Sequence, residues 1–165
     1  MEALVTWFTE VMAGTVAEEV VVFIISLMPI LELRGGLLAA KLLSVPLLKA
    51  IPICIAGNII PIPFILLFIR KIFSWLKKFK ATRPMVEKLE KKAMGKSDKL
   101  TKMEFWGLAL FVGIPLPGTG AWTGSLIAAL LEMDIKKAVI AELVGIVIAT
   151  IIMSIVSYGL LGLFI

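Results

Sequence analysis

Glu32-Leu-Arg34-Gly35-Gly36 places two ionisable side chains and a glycine pair in an otherwise apolar stretch. At membrane depth an ionisable residue costs about 2.5–3.5 kcal/mol on insertion scales, which makes a functional role the first hypothesis. Arg34 can hold an anionic head group through its planar fork. Glu32 can bind a proton or a cation in exchange. The competing explanation is that the two charges neutralise each other and fix a turn. A second cluster, Pro115-Leu-Pro117-Gly118-Thr119-Gly120, supplies flexible backbone ahead of an apolar piece starting at Ala121. The N-terminal amides and dipole of a helix beginning there would attract an anion, and Thr119 and Thr123 add hydroxyls. A glycine-rich turn alone is commonly structural; paired with Arg34 it makes an anion site. Asn58 and Glu142 lie in the two long apolar runs. Asn58 either lines a cavity or hydrogen-bonds across helices. Glu142, about one turn past Lys137, is either solvated near the membrane surface or a second proton carrier.

Other chemistries are excluded by what is missing. The chain has no histidine and one cysteine, Cys54. Histidine triads, the usual zinc sites and a disulfide framework all need more. No Cys dyad and no Ser/Lys or Asp/Asp pair sits at a plausible site, so an enzyme is not expected. Neither is a metal or a cofactor.

The elements that must hold these residues are membrane elements. The 165 residues are 60% hydrophobic with mean hydropathy +1.05, against roughly 45–50% apolar in soluble domains. So short a chain cannot hide that excess in one core. The expected fold is a single all-α integral membrane domain, 1–165. Residues 2–17 read as an interfacial helix with Trp7 at head-group level. Val20–Met28 and Leu37–Leu43 are short apolar pieces around Pro29. Leu47–Ile69 is a long span, kinked at Pro52, Pro61 and Pro63. Glu104–Ile114 and Ala121–Leu131 are again short, around the second proline-glycine cluster. Ala138–Ile165 is the second long span. The first 17 residues carry no Lys or Arg, so no signal peptide is expected.

Twelve of the 17 Lys and Arg fall between Arg70 and Lys102. Flanked by apolar runs, this segment reads as a cytoplasmic loop facing anionic lipid rather than a nucleic-acid surface. A helix is expected from Pro84, with a thin stripe of Val86, Leu89, Ala93 and Leu100 and a Glu87–Lys91 pair.

The two halves match in order. Gly35, Leu37, Ala39 and Ala40 align with Gly124, Leu126, Ala128 and Ala129; with one residue deleted, Lys49-Ala50 falls on Lys137-Ala138 and Gly57 on Gly145. Each half reads short piece, Pro/Gly break, short piece, lysine, long span. Broken apolar segments at corresponding positions point to a transporter-type site. Freed backbone groups are tolerated in a bilayer only where protein or a watery cavity satisfies them. The expectation is therefore an inverted repeat: about 18–69 as one half, 70–103 as the basic cytoplasmic segment, about 104–165 as the other half. Each half is a re-entrant helical hairpin plus a spanning helix. With the basic segment inside, Lys136 and Lys137 are also inside, which obeys the positive-inside rule. Four plain spans are the rival; they place those lysines outside and bury Glu32 and Arg34 in a full helix.

Pro29-Ile-Leu-Glu-Leu-Arg-Gly-Gly36 followed by Pro115-Leu-Pro-Gly-Thr-Gly-Ala-Trp-Thr-Gly124 resembles the small multidrug export protein family, which is related to the DedA superfamily. The resemblance covers nearly the whole chain. It implies two inverted repeats and, from the DedA relatives, lipid-carrier or phospholipid translocation coupled to protons. Glu32 would correspond to the acidic residue of the first hairpin. Phe111-Val-Gly-Ile-Pro-Leu-Pro117 stands where DedA proteins carry arginines, and has none. The expected protein is a secondary transporter or lipid flippase of the cytoplasmic membrane. Its partners would be membrane lipids, an anionic or amphipathic substrate, coupling protons and a second copy in a homodimer, with no nucleic acid. The alternative is a non-transport scaffold or lipid-binding protein.

Overall fold

A computed structural model describes residues 2–12, 16–94, 104–116 and 118–160. The described residues are helical, without strands: α1 Glu2–Met12, α2 Glu18–Leu27, α3 Glu32–Leu42, α4 Leu47–Ile59, α5 Pro61–Leu76, α6 Arg83–Met94, α7 Glu104–Gly113, α8 Ala121–Leu130 and α9 Ile135–Ser154, closed by a π-helical end, Ile155–Leu160.

Prolines and glycines set the breaks. Met28 precedes Pro29, and the ring of Pro29 disfavours helical backbone before it; Met28 is extended, ψ 139°, and α2 stops there. The chain then re-forms helix at Glu32, not at Leu37 as the apolar pattern implied, so Gly35 and Gly36 lie inside α3. The long apolar run Leu47–Ile69 is interrupted at Ile60, directly before Pro61. Pro61 and Pro63 stand in the first turn of α5, where a missing amide costs no helical bond. α5 runs on to Leu76, past the expected boundary at Ile69.

Two apolar segments are long enough to cross a bilayer, Leu47–Ile69 (23 residues) and Ile135–Gly159 (25 residues). At about 1.5 Å per residue each exceeds the roughly 30 Å of a hydrocarbon core. The outer face of α9 leaves Ile140, Leu143, Val147 and Ile151 exposed, and α5 leaves Phe64, Leu67, Phe68 and Ile72 exposed. Apolar faces this continuous mark a surface for lipid or for another protein.

Inside, small residues set the helix crossings. A Cβ on Gly57 would come 2.8 Å from Ser26 Cβ and 2.9 Å from the Phe23 carbonyl oxygen, so α2 can cross α4 only over glycine. α7 crosses α9 in the same way at Gly145, where an added Cβ would lie 2.6 Å from the Ala109 carbonyl oxygen and 2.6 Å from Val112 Cβ. α3 and α8 also end alike. Val45 N donates to Ala40 O (2.8 Å) past Ser44 at φ 58°, and Met133 N donates to Ala128 O (3.0 Å) past Glu132 at φ 58°. Leu33, Leu37, Leu108, Val112, Ile127 and Ile146 fill the core between these elements.

α1 packs on α3 through buried Val5, leaving Trp7 exposed. α6 begins at Arg83, one residue before Pro84, and seats Val86, 1% exposed, with α8 and α5 as neighbours. Arg83 Nε donates to Glu87 Oε1 at 2.8 Å on its outer face. The side chains of Leu89 and Ala93, and all of Leu100, lie outside the described residues.

Candidate functional site

The two breaks meet. Glu32 opens α3 with φ 51°, left-handed backbone that a non-glycine residue adopts at a cost of about 1–3 kcal/mol. Its carboxylate, 4% exposed, crosses to the second break. Oε2 accepts from Ala121 N at 3.2 Å and Oε1 from Trp122 N at 3.1 Å. Those amides open α8 and have no partner within their own helix. α3 and α8 therefore approach N-terminus to N-terminus, and the carboxylate sits where their two positive dipole ends converge.

Arg34, two residues on and 5% exposed, treats the other side of the same break. Nη1 donates to Leu116 O at 2.9 Å. Nη2 reaches Ile114 O at 3.1 Å, Val112 O at 3.3 Å and Thr119 Oγ1 at 2.9 Å. The carbonyls at and beyond the end of α7 lack helical donors, and the planar fork supplies several at once. Thr119 ties the loop. Its hydroxyl accepts from Leu116 N at 3.3 Å and lies within donating range of Ile114 O (2.9 Å) and Leu116 O (2.8 Å).

Gly118 (φ 75°) and Gly120 (φ 126°) both adopt backbone that favours glycine. At Gly120 a Cβ would also strike the Glu32 carboxyl, 2.7 Å from Cδ. This close approach is what lets Glu32 reach the amides. Pro115 is half-buried in the same loop; Pro117 lies outside the described residues.

Glu142 overturns the expectation of a solvated carboxyl near the surface. It is fully buried, 0% exposed, and Oε2 accepts from Ser125 Oγ at 2.8 Å. Ser125 lies one turn into α8, past the amides that Glu32 caps. Asn58 is also buried, with Oδ1 lacking a partner among the described residues. Thr123 is half-buried on α8. Gly35 and Gly36 act as packing residues: a Cβ on Gly35 would lie 2.6 Å from Leu31 Cβ, and one on Gly36 2.9 Å from Cys54 Sγ. Beside the breaks lies an apolar cleft of about 710 Å³, walled by Leu27, Met28 and Pro29, by Phe64 and Phe68 of α5, and by Trp122.

Residues 32–152 match a family described as "Putative small multi-drug export protein". The chain belongs to that family. No curated protein and no solved structure matches it. Family membership, together with the two long apolar helices, makes it a membrane protein. The stretch this small multi-drug export protein shares with its family opens at Glu32, directly after the first break, and takes in the second break, Ser125 and Glu142.

Of the sequence-derived site residues in this family member, the structure brings Glu32, Arg34, Thr119 and Gly120 into one bonded cluster. It shows the Glu32 and Arg34 side chains bonded to the second break, where a neutralising pair or an open anion fork had been expected. Sequence reasoning missed Ser125 and the backbone partners at residues 112–122. Backbone groups leave no mark in residue identity. Ser125–Glu142 did leave one: Glu142 falls on a stripe of Ala138, Ala141, Gly145 and Ala149, the small-residue spacing of a packed helix face.

Proposed function

We propose that this chain is a transporter or lipid flippase of the cytoplasmic membrane, built as an inverted repeat of two re-entrant hairpins and two spanning helices. It takes an anionic, amphipathic substrate with a proton. Several observations support the topology. Lys49 Nζ lies 4.0 Å from Glu19 Oε1, so the start of α2 and the start of α4 share one end of the molecule. The end of α3 is there too, four residues from α4. α2 and α3, with 10 and 11 residues, reach about 15 Å each, half a hydrocarbon core. The paired glycine crossings and matching ends of α3 and α8 support the repeat. The basic segment is then cytoplasmic by the positive-inside rule. The link to DedA proteins rests on the motif resemblance.

One observation carries the mechanism: the N-terminus of α8 is an anion site already filled by Glu32. A helix N-terminus aimed into a membrane protein binds anionic substrate groups. Here an outside anion must displace the Glu32 carboxylate. A proton on Glu32 removes the competing charge and frees the Ala121 and Trp122 amides. Proton and anion therefore bind together and move in the same direction, rather than in the exchange expected from sequence. The apolar cleft at Trp122 is placed to take the tail of such a substrate.

The test uses proteoliposomes of phosphatidylethanolamine and phosphatidylglycerol with a fluorescent phosphatidylglycerol. Flipping should rise as pH falls, and Glu32→Gln should make it independent of pH. A pH-independent rate in the unaltered chain, equal to protein-free vesicles, removes the transport reading. That outcome would favour a static lipid-binding scaffold. The closed set of bonds around Arg34 is the observation on the scaffold's side.

A further inference from the structure

Two carboxyl groups flank the first turn of α8. Glu32 holds its opening amides, and Glu142, from α9, holds the Ser125 hydroxyl at 2.8 Å. Ala121 and Ser125 stand four residues apart and so share a helix face. Glu142 is 0% exposed, and its Oε1 has no partner among the described residues. An uncompensated buried charge is expensive, so a carboxyl placed this way gains and loses a proton rather than standing as a permanent anion.

The other titratable groups on the elements around α9 are engaged elsewhere or exposed. On α3, Arg34 is bonded to the second break, and Lys41 lies 5.8 Å over the Tyr158 ring. On α4, Cys54 is beside Ser26 and Lys49 reaches towards Glu19. Lys71 of α5 and Lys136 and Lys137 of α9 itself are exposed, and the side chain of Arg70 on α5 lies outside the described residues. Tyr158 donates to Val45 O at 2.7 Å. α8 carries no titratable side chain, and on α7 the one such group is Glu104, whose side chain lies outside the described residues. Among the described side chains, Glu32 is the charged group that acts on Glu142.

We propose that Glu142, held by Ser125, is a second proton-binding site coupled to Glu32 across the first turn of α8. The two carboxyls then titrate as a pair in linked steps, not as independent groups. A proton bound at Glu142 weakens the field opposing a charged Glu32, and a proton leaving Glu142 strengthens it. This deepens the transport reading, and rests on it only for the use to which the protons are put.

The experiment is infrared difference spectroscopy of the full chain in phosphatidylethanolamine–phosphatidylglycerol vesicles, titrated with pH and read at the protonated-carboxyl band. The intact chain should show two titrating components. Glu142→Gln should remove one. Glu32→Gln should remove the other and change the proton affinity of the remaining group by about tenfold or more. Ser125→Ala should move the frequency of the Glu142 component while leaving it titratable. Identical difference spectra for Glu142→Gln and the unaltered chain overturn the proposal. So does a Glu142 midpoint unmoved by Glu32→Gln. The amide band of the same samples reports folding; if Glu142→Gln loses helix, the Ser125→Ala comparison decides, and an unshifted band there overturns the proposal. Parallel phosphatidylglycerol flipping separates the two claims. Coupled titration without flipping refutes transport alone, and flipping with a single titrating group refutes the pair alone.

Discussion

Gly120→Ala tests the meeting of the two breaks at one atom. Gly120 sits at φ 126°, ψ −179°, a region essentially restricted to glycine. Alanine there costs about 1–3 kcal/mol in backbone strain. Its methyl would also lie 2.7 Å from Glu32 Cδ, so the carboxylate must leave Ala121 and Trp122. Losing hydrogen bonds to a charged group adds about 1.5–3 kcal/mol. Together the substitution should destabilise by roughly 2.5–6 kcal/mol. The two contributions separate in a double-mutant cycle with Glu32→Ala, measured by reversible unfolding in mixed micelles. Once Glu32 is gone, only strain remains, so the double variant should fall short of additivity by about 1.5–3 kcal/mol. Additive effects would mean that Glu32 does not contact Gly120, and the account of Glu32 as the cap of α8 would fail with it.

Arg34→Lys keeps the charge but loses the planar fork that serves Val112, Ile114, Leu116 and Thr119. It should destabilise by about 2–4 kcal/mol in the same unfolding assay; a change under about 0.5 kcal/mol would show those contacts to be incidental. On the proposed topology, single cysteines tested in a Cys54→Ser background should react with an impermeant maleimide from defined sides. Lys136→Cys should label from the same side as Lys88→Cys, and Glu18→Cys from the opposite side. Four plain spans give the reverse pattern for both positions.

The sequence exposed the breaks because proline and glycine act on the backbone locally. Pro29 stops α2 through its effect on Met28, and Gly118 and Gly120 supply φ values that other residues resist. Gly57 and Gly145 could be paired from order alone, and both prove to be crossing points. The start of α3 was misplaced because charge was taken as a break in the apolar pattern. In fact Glu32 opens α3 and Arg34 lies within it, and their polar ends are satisfied by another segment. Glu142 was misjudged because depth was counted along the chain from Lys137. What buries it is lateral, the close approach of α8 and α7 over Gly124 and Gly145. Contacts of this kind join residues more than 80 positions apart and are set by packing, which no local pattern encodes.

The Arg34 guanidinium waits for carbonyls that are made much later. Leu116 follows Arg34 by 82 residues, which at about 5–20 residues per second is roughly 4–16 s of synthesis. During that interval an arginine and a glutamate sit in the nascent first half with their eventual acceptors and donors still unwritten. Until the second half emerges, the two charges have only each other as partners within this segment. A ribosome stalled in the basic linker would leave behind a fragment in which Glu32 and Arg34 have each other but none of the second-break amides and carbonyls they hold in the finished fold.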